Sequence, residues 1–83
     1  MYSVRILRRA MKDIADLPEG YAGLVSQHID RLEQNPRPRD AKRLRGRTDY
    51  SLRVGAYRIL YDVDDDARAV TVYRVKHRRE AYR

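Results

Sequence analysis

The chain contains no cysteine among its 83 residues, so disulfide bonds and thiolate metal sites are excluded. Its apolar runs are all far shorter than the roughly 20 residues that a membrane-spanning helix needs. The opening residues, MYSVRILRR, also lack the uninterrupted apolar stretch of a signal peptide. We therefore expect a cytoplasmic protein that forms a single domain over residues 1–83.

The familiar signatures of catalytic and metal sites are also missing. The chain has no Gly-rich phosphate loop, and no Ser-His-Asp arrangement stands out. His28 lies in the apolar stripe of a predicted helix, where a mostly buried structural role is favoured, and His77 has no matching carboxylate at a metal-site spacing. Three adjacent acids at 64–66 could bind a divalent cation, but such acids in a turn are usually only solvated. We expect neither a metal nor a cofactor.

Positive charge, by contrast, is abundant and unevenly distributed. The formal net charge is +7, and 16 of the 19 basic residues are arginine, whose planar fork pairs bidentately with phosphate. Residues 1–36 are neutral, residues 37–58 carry +6, residues 59–66 carry −4 and residues 67–83 carry +5. This segregation predicts a polyanionic partner for the C-terminal half of the chain.

Apolar spacing in the first half predicts one strand and two helices. Alternation over residues 2–6 is typical of a strand, and residues 8–17 change to helical spacing. That helix should end at Leu17, because the residue before a proline avoids the α region. Pro18 suits the first position of a second helix, whose apolar positions between 21 and 32 form the clearest amphipathic pattern in the chain.

The second half predicts three further strands. After a basic loop at 37–48, two alternating runs flank Gly55-Ala56 and indicate a β-hairpin. A last strand follows at 69–76. The order βααβββ predicts an α+β fold, a two-helix hairpin packed on a four-stranded, mainly antiparallel sheet.

The hairpin places basic side chains on the face opposite the core. Tyr50, Leu52 and Val54 should point inward, whereas Ser51, Arg53 and Arg58 should point outward. Because the last strand neighbours this hairpin, four side chains could converge on one phosphate: Arg53, Arg58, Arg78 and Tyr82. Arginines at this position would stabilise the negative charge that develops in the transition state of phosphodiester transfer. Other residues are expected to contact the polyanion around them: Arg37, Arg39, Lys42, Arg43, Arg45, Arg47, Ser51, Lys76, His77 and Arg79.

Several segments resemble the RelE/ParE superfamily of bacterial toxins, and the RelE branch in particular. They are YSVRILRRAMKDIADLP, the helix ending LEQNPRP, KRLRG, the hairpin YSLRVGAYRILYDVDDD and the ending VYRVKHRREAYR. The resemblance covers essentially the full length, and its most specific parts are the hairpin and the ending. It implies a RelE-like fold and a toxin that enters the ribosomal A site and cuts mRNA there. The attacking group would be the ribose 2′-hydroxyl, with no metal, and a cognate antitoxin would neutralise the toxin.

The resemblance also implies that the polyanion bound by these surrounding residues is RNA, and it implies roles for individual residues. Arg58 and Arg78 match arginines that stabilise the transition-state phosphate, and Tyr82 matches a tyrosine that stacks on a base or handles a proton. Arg53 and Ser51 fall where strong RelE nucleases carry lysines. A guanidinium is a poor general base because its pKa lies above about 12, so Tyr82 would take that role, His77 would help, or cleavage would be weaker.

Two other functions compete with this interpretation. The ParE branch shares the fold but poisons DNA gyrase, and the missing lysines favour it. A plain RNA-binding module is the third alternative, although most tyrosines of this chain occupy inward strand positions rather than the exposed positions on which bases stack. The combination of Arg58, Arg78 and Tyr82 favours the RelE branch.

Overall fold

The computed structural model describes residues 1–44 and 48–80. Its two helices are α1 (Arg8–Ala15) and α2 (Tyr21–Arg31). Its strands are β1 (Ser3–Ile6), β2 (Ala41–Arg43), β3 (Asp49–Val54), β4 (Tyr57–Asp64) and β5 (Ala69–His77). No helix within these ranges is long and apolar enough to cross a membrane.

The strands form one mixed sheet in the order β1-β5-β4-β3-β2. β1 runs parallel to β5, and all other neighbouring strands are antiparallel. The predicted α+β class and mainly antiparallel sheet are therefore confirmed. The number of strands is five rather than four, because residues 41–43 of the predicted basic loop pair with β3 as a short edge strand.

The second helix begins later than the sequence suggests. Pro18 was expected at its first position, but α2 starts at Tyr21 after Gly20, whose φ of 90° only glycine adopts readily. The Tyr21 N–H donates to the Pro18 carbonyl, so Pro18 belongs to the turn that precedes the helix. The prediction for Pro18 is therefore wrong by three residues. His28, expected to be mostly buried, is half-buried, and its Nδ1 lies 2.9 Å from the Leu24 carbonyl oxygen.

Both helices pack on the same face of the sheet. Their buried residues Ala10, Val25 and Ile29 join a core made with inward side chains of β3, β4 and β5. A β-bulge at Tyr73 adjusts β5, because Leu60 pairs with Arg74 whereas Tyr61 pairs with Val72. The extra residue allows Val72 and Val75, three positions apart, both to point into the core. The face opposite the helices is left for the basic side chains.

Candidate nucleic-acid interface

Three cationic residues line up across the centre of the sheet. Arg53 on β3 pairs directly with Arg58 on β4, and Arg58 pairs directly with Lys76 on β5. Paired residues on adjacent strands share a face, and the strands are about 4.8 Å apart. The register therefore creates a row of three positive charges that runs perpendicular to the strands, beside the hairpin turn.

An open pocket of about 430 Å³ lies at the β3 end of this row. Four cations and one acid contribute to its walls, together with Gly55 of the hairpin turn: Arg39, Lys42, Arg53, Arg58 and Asp40. Lys42 reaches the pocket because β2 pairs with β3 and places Lys42 opposite Ser51. β2, which the sequence did not predict as a strand, thus brings the predicted RNA-binding residue Lys42 to the pocket.

The two arginines of the hairpin differ in their surroundings. Arg58 is half-buried, and its Nε atom is fully buried. Arg53 is exposed, and its Nε donates to the Gly55 carbonyl oxygen at 3.2 Å. A half-buried guanidinium interacts more strongly with an anion than an exposed one, because water screens it less. Of the two hairpin arginines, Arg58 is accordingly the better placed to stabilise a developing negative charge.

Aromatic packing supports the hairpin turn from the helix side. Gly55 has a φ of 59°, as the first central residue of a two-residue hairpin can require. A Cβ atom at Gly55 would lie 2.7 Å from the hydroxyl oxygen of Tyr21, so the glycine also leaves room for that ring. The ring of Tyr21 in turn packs edge-on against Tyr57, with centroids 4.8 Å apart. The turn beside the basic row is therefore held by α2, a contact that the strand pattern gave no means to predict.

The same turn anchors the segment that follows β5. The Arg78 N–H donates to the carbonyl oxygen of Ala56 at 2.7 Å. Both Arg78 and Arg79 are exposed. The backbone of Arg78 is thus attached to the hairpin that carries Arg53 and Arg58, as the predicted convergence of these arginines requires. Tyr82, the fourth predicted catalytic residue, lies outside the described residues, and so do Arg45 and Arg47.

Ser51 does not occupy the exposed position expected for it. Its side chain is completely buried, and its hydroxyl oxygen has no hydrogen-bond partner among residues 1–44 and 48–80. The residue opposite it on β4, Leu60, is also buried, with 5% of its surface exposed. Ser51 thus lies on the predicted face, shared with Lys42 and Arg53, but it is covered, so the prediction of an exposed Ser51 that contacts RNA is wrong. The uninterrupted apolar run Ile59-Leu60-Tyr61 was the available signal, because a strand buried on both faces loses its alternation.

Arg37 lies in a separate cluster of side chains. It forms a bidentate ion pair with Asp65, at 2.7 and 3.1 Å, and its Nε donates to the hydroxyl of Tyr50 at 2.8 Å. The hydrogen bond to Asp65 raises the pKa of Arg37, and the same bond lowers the pKa of Asp65. Tyr2 also donates to this carboxylate. Arg37 therefore connects Asp65, in the polar turn after β4, to Tyr50 of β3, and it does not line the basic pocket.

Two other predicted RNA-binding residues also lie away from the pocket. Arg43 pairs with Tyr50, so strand alternation places it on the opposite face from Lys42. The ring of His77 packs edge-on against Tyr57, with centroids 5.5 Å apart. The structure thus gathers Arg39, Lys42, Arg53 and Arg58 into one pocket with Lys76 beside it, and leaves Arg37, Arg43 and His77 outside.

The carboxylate of Asp13 binds β5 beyond the point where β1 ends. The sequence did not predict this contact. β1 pairs only with residues 69–72 of β5, and beyond this point Asp13 of α1 accepts hydrogen bonds from the Val75 N–H and the Arg74 guanidinium. Burial would raise the pKa of Asp13, but the two hydrogen bonds, together with the positive charges of Arg74 and Arg9, hold the pKa below the ordinary value of 3.8. Asp13 is 62 residues from Val75 in the chain, so no local pattern could indicate the contact. It fixes the strand that carries Lys76.

Comparison with known proteins identifies the family. Residues 4–82 match the model of the ParE toxin of type II toxin–antitoxin systems, parDE. The chain belongs to this family. It is thus a toxin of a type II toxin–antitoxin system, as the hairpin and the ending indicated.

The toxin is also similar to individual relatives that carry RelE-type names. It is 34% identical to toxin RelE1 of Methanocaldococcus jannaschii, over 99% of this chain and 96% of the relative. It is 36% identical to toxin RelG of Mycobacterium tuberculosis, over 99% and 97%. Among solved structures, the archaeal RelE–RelB complex from Pyrococcus horikoshii matches with a TM-score of 0.85 and 29% identity, covering 96% of this chain and 98% of that one.

Proposed function

We propose that the toxin is a ribosome-dependent endoribonuclease that cleaves mRNA and so inhibits translation. The observation that carries this proposal is the row Arg53, Arg58 and Lys76 on three adjacent strands. Like charges directly opposite each other destabilise a sheet by roughly 0.2–1 kcal/mol per pair. A phosphate bound over the row would offset this cost and give the arrangement a function.

The proposed reaction uses groups that RNA itself supplies. The ribose 2′-oxygen attacks the adjacent phosphorus, the bond from phosphorus to the 5′-oxygen breaks, and a 2′,3′-cyclic phosphate forms. The 2′-hydroxyl loses a proton to a base, and the leaving 5′-oxygen gains one from an acid. Negative charge increases on the non-bridging phosphate oxygens in the transition state, where preorganised cations are most effective. No group of three His, Asp or Glu side chains in the described ranges could hold a metal ion.

The residues divide between these tasks. Arg58, half-buried at the centre of the row, would stabilise the transition state, with Arg53 and Arg78 nearby. Arginine cannot exchange the required protons, because its pKa lies above about 12. Tyr82 would handle a proton or stack on a base, as its position in the family motif implies. The pocket cations Arg39 and Lys42 would bind neighbouring phosphates without reading sequence.

We also propose that a cognate antitoxin covers this face. The similar Pyrococcus horikoshii structure is a RelE–RelB complex. In the present toxin, segments 37–58 and 67–83 are strongly basic, and these charges repel one another when no anion is bound. An acidic segment of the antitoxin, partly disordered when alone, could fold along the sheet over Arg53 and Arg58 at a cost in conformational entropy.

Replacement of Arg58 tests the nuclease directly. We expect the purified toxin to cut mRNA on translating ribosomes, and Arg58→Ala to reduce the cleavage rate by about 10²–10³, the usual effect of removing one preorganised transition-state donor. Arg31→Ala is the matched control, because it removes the same charge from an exposed position on α2, on the other face of the sheet. Thermal unfolding would verify that both variants are folded. A folded Arg58→Ala variant that cuts at the parental rate would contradict the proposal.

Inhibition of DNA gyrase is the second candidate, since the matching family model is described as the ParE toxin. The same preparation should therefore be assayed for loss of gyrase supercoiling. Gyrase inhibition without any cleavage on ribosomes would reject the nuclease. Cleavage without gyrase inhibition would support it.

A further inference from the structure

The turn that follows β5 is organised by one side chain, His77. The Arg79 N–H donates to Nδ1 of His77 at 3.2 Å, and the Glu80 N–H donates to the His77 carbonyl at 2.8 Å. The ring itself is held in place by its edge-on contact with Tyr57. This small turn carries Arg78.

Hydrogen bonds fix both peptide groups that flank the Cα atom of Arg78. The preceding group is held through the Arg78 N–H, which donates to Ala56 in the hairpin turn. The following group is held through the Arg79 N–H and the His77 ring. When both flanking peptide planes are fixed, φ and ψ of the residue between them are fixed, and so is the direction of its Cα–Cβ bond.

We propose that His77 is a positioning residue, whose unprotonated Nδ1 orients Arg78 toward the phosphate site. This inference rests on the proposed nuclease function. Only a neutral imidazole with its proton on Nε2 can accept the Arg79 N–H at Nδ1, because both nitrogens of the imidazolium ion are donors. Protonation therefore removes the bond and releases one of the two peptide groups that orient Arg78.

Charged groups of both signs surround the ring. The pocket of about 370 Å³ that His77 lines is also lined by titratable groups from α1 and the residue after it, β4, β5 and the following turn: Asp13, Asp16, Tyr57, Arg74, Lys76 and Glu80. Asp13 is already engaged by Arg74 and Val75. Arg78 and Arg79 follow His77 directly, so protonation would add a third positive charge to this turn.

Two substitutions distinguish the role of the His77 hydrogen-bond acceptor from that of its ring. In His77→Asn, Oδ1 is bonded to Cγ as Nδ1 is in histidine, and an asparagine oxygen can accept the N–H two residues later in an Asx-turn. His77→Phe keeps a ring for the contact with Tyr57 but has no acceptor. We expect cleavage of ribosome-bound mRNA to fall roughly 10–100-fold in His77→Phe, the order of loss that follows misplacement of a catalytic group. Asparagine should recover most of this loss.

The pH profile supplies an independent readout. An imidazole nitrogen can be protonated, whereas the asparagine amide oxygen remains an acceptor. The ratio of the His77→Asn rate to the parental rate should therefore rise as pH is lowered, because only the parent loses its acceptor. Taking the ratio cancels the effect of pH on the ribosome. A ratio that stays constant would overturn the proposal, and so would equal losses in the asparagine and phenylalanine variants.

Hydrogen exchange of the Arg79 amide tests the contact without any assay of activity. We expect protection in the parent and in His77→Asn, and faster exchange in His77→Phe. If the parent does not cut mRNA, the nuclease proposal fails on its own, and the amide measurement still decides whether His77 orders the turn. Equal exchange of this amide in all three proteins would overturn the inference, whatever the cleavage assay shows.

Discussion

A buried hydroxyl lies beneath the basic face. Ser51 is fully enclosed next to Leu60, and its oxygen finds no partner within the described part of the chain. An unsatisfied buried polar group costs about 1–3 kcal/mol. The sheet face that carries the cationic row thus also contains a buried hydroxyl oxygen that destabilises the fold.

Removing that atom should stabilise the toxin. We expect Ser51→Ala to increase the free energy of unfolding by about 1 kcal/mol, because alanine fits the space and brings no unpaired oxygen. In a domain of this size the melting temperature should rise by about 4–8 °C. Arg31→Ala, at an exposed position on α2, provides a comparison whose stability should change by less than about 0.5 kcal/mol. A lower melting temperature for Ser51→Ala would show that the hydroxyl is satisfied.

At the scale of elements, helix α1 completes the sheet where β1 ends. The Asp13 carboxylate takes the place of a neighbouring strand for the Val75 N–H and adds an ion pair with Arg74. Its side chain is only 18% exposed, so water screens this pair less than it would a surface pair. The contact joins α1 to the strand that carries Lys76 and precedes Arg78.

The lowered pKa of Asp13 gives this contact a defined pH dependence. A carboxyl group whose pKa is depressed by folding stabilises the protein above its unfolded pKa and loses that effect as pH falls through the folded value. Asp13→Asn should therefore lower the free energy of unfolding by about 1–2 kcal/mol at neutral pH. The difference between parent and variant should decrease below the ordinary pKa of 3.8. Urea unfolding at several pH values measures it, and a difference that does not change with pH would contradict the assignment.

Local patterns predicted most elements but not their long-range adjustments. Alternation located the hairpin around Gly55, and helical spacing located α2. Strand β2 was missed because Ala41-Lys42-Arg43 has no apolar alternation, and only its pairing with β3 makes it a strand. Ser51 was assigned to the correct face but wrongly expected to be exposed, because alternation assumes one solvated face.

In the candidate site, too, the sequence predicted local contacts but not contacts between residues distant in the chain. The Arg53–Arg58 pair follows from the hairpin register, which a two-residue turn determines. The contacts of Asp13 with Val75 and of Tyr21 with Gly55 join residues distant in sequence, so they depend on tertiary packing alone. Arg37 looked like its basic neighbours in the sequence and was assigned with them, although its partner Asp65 lies 28 residues away.

For the molecule as a whole, charge should govern association with RNA. Four cations line the basic pocket beside the row. If each binds one phosphate of single-stranded RNA, a plot of log affinity against log salt concentration should have a slope of about −3. Arg58→Ala should make the slope less steep by about 0.7. Fluorescence anisotropy with a short RNA measures both slopes, and Arg31→Ala should behave as the parent. A parental slope near zero would show that this face does not bind phosphates.

The strand order has a consequence for synthesis of the toxin. β5 lies between β1 and β4 but follows both in the chain, so the sheet has a gap until β5 arrives. β1 has no strand partner before then, and Arg58 lacks its neighbour Lys76. Such long-range pairing is slow to form. The ribosome that makes the toxin releases β1, β3 and β4 before β5, so a nascent chain can complete its phosphate site only after residues 69–77 have left the ribosome.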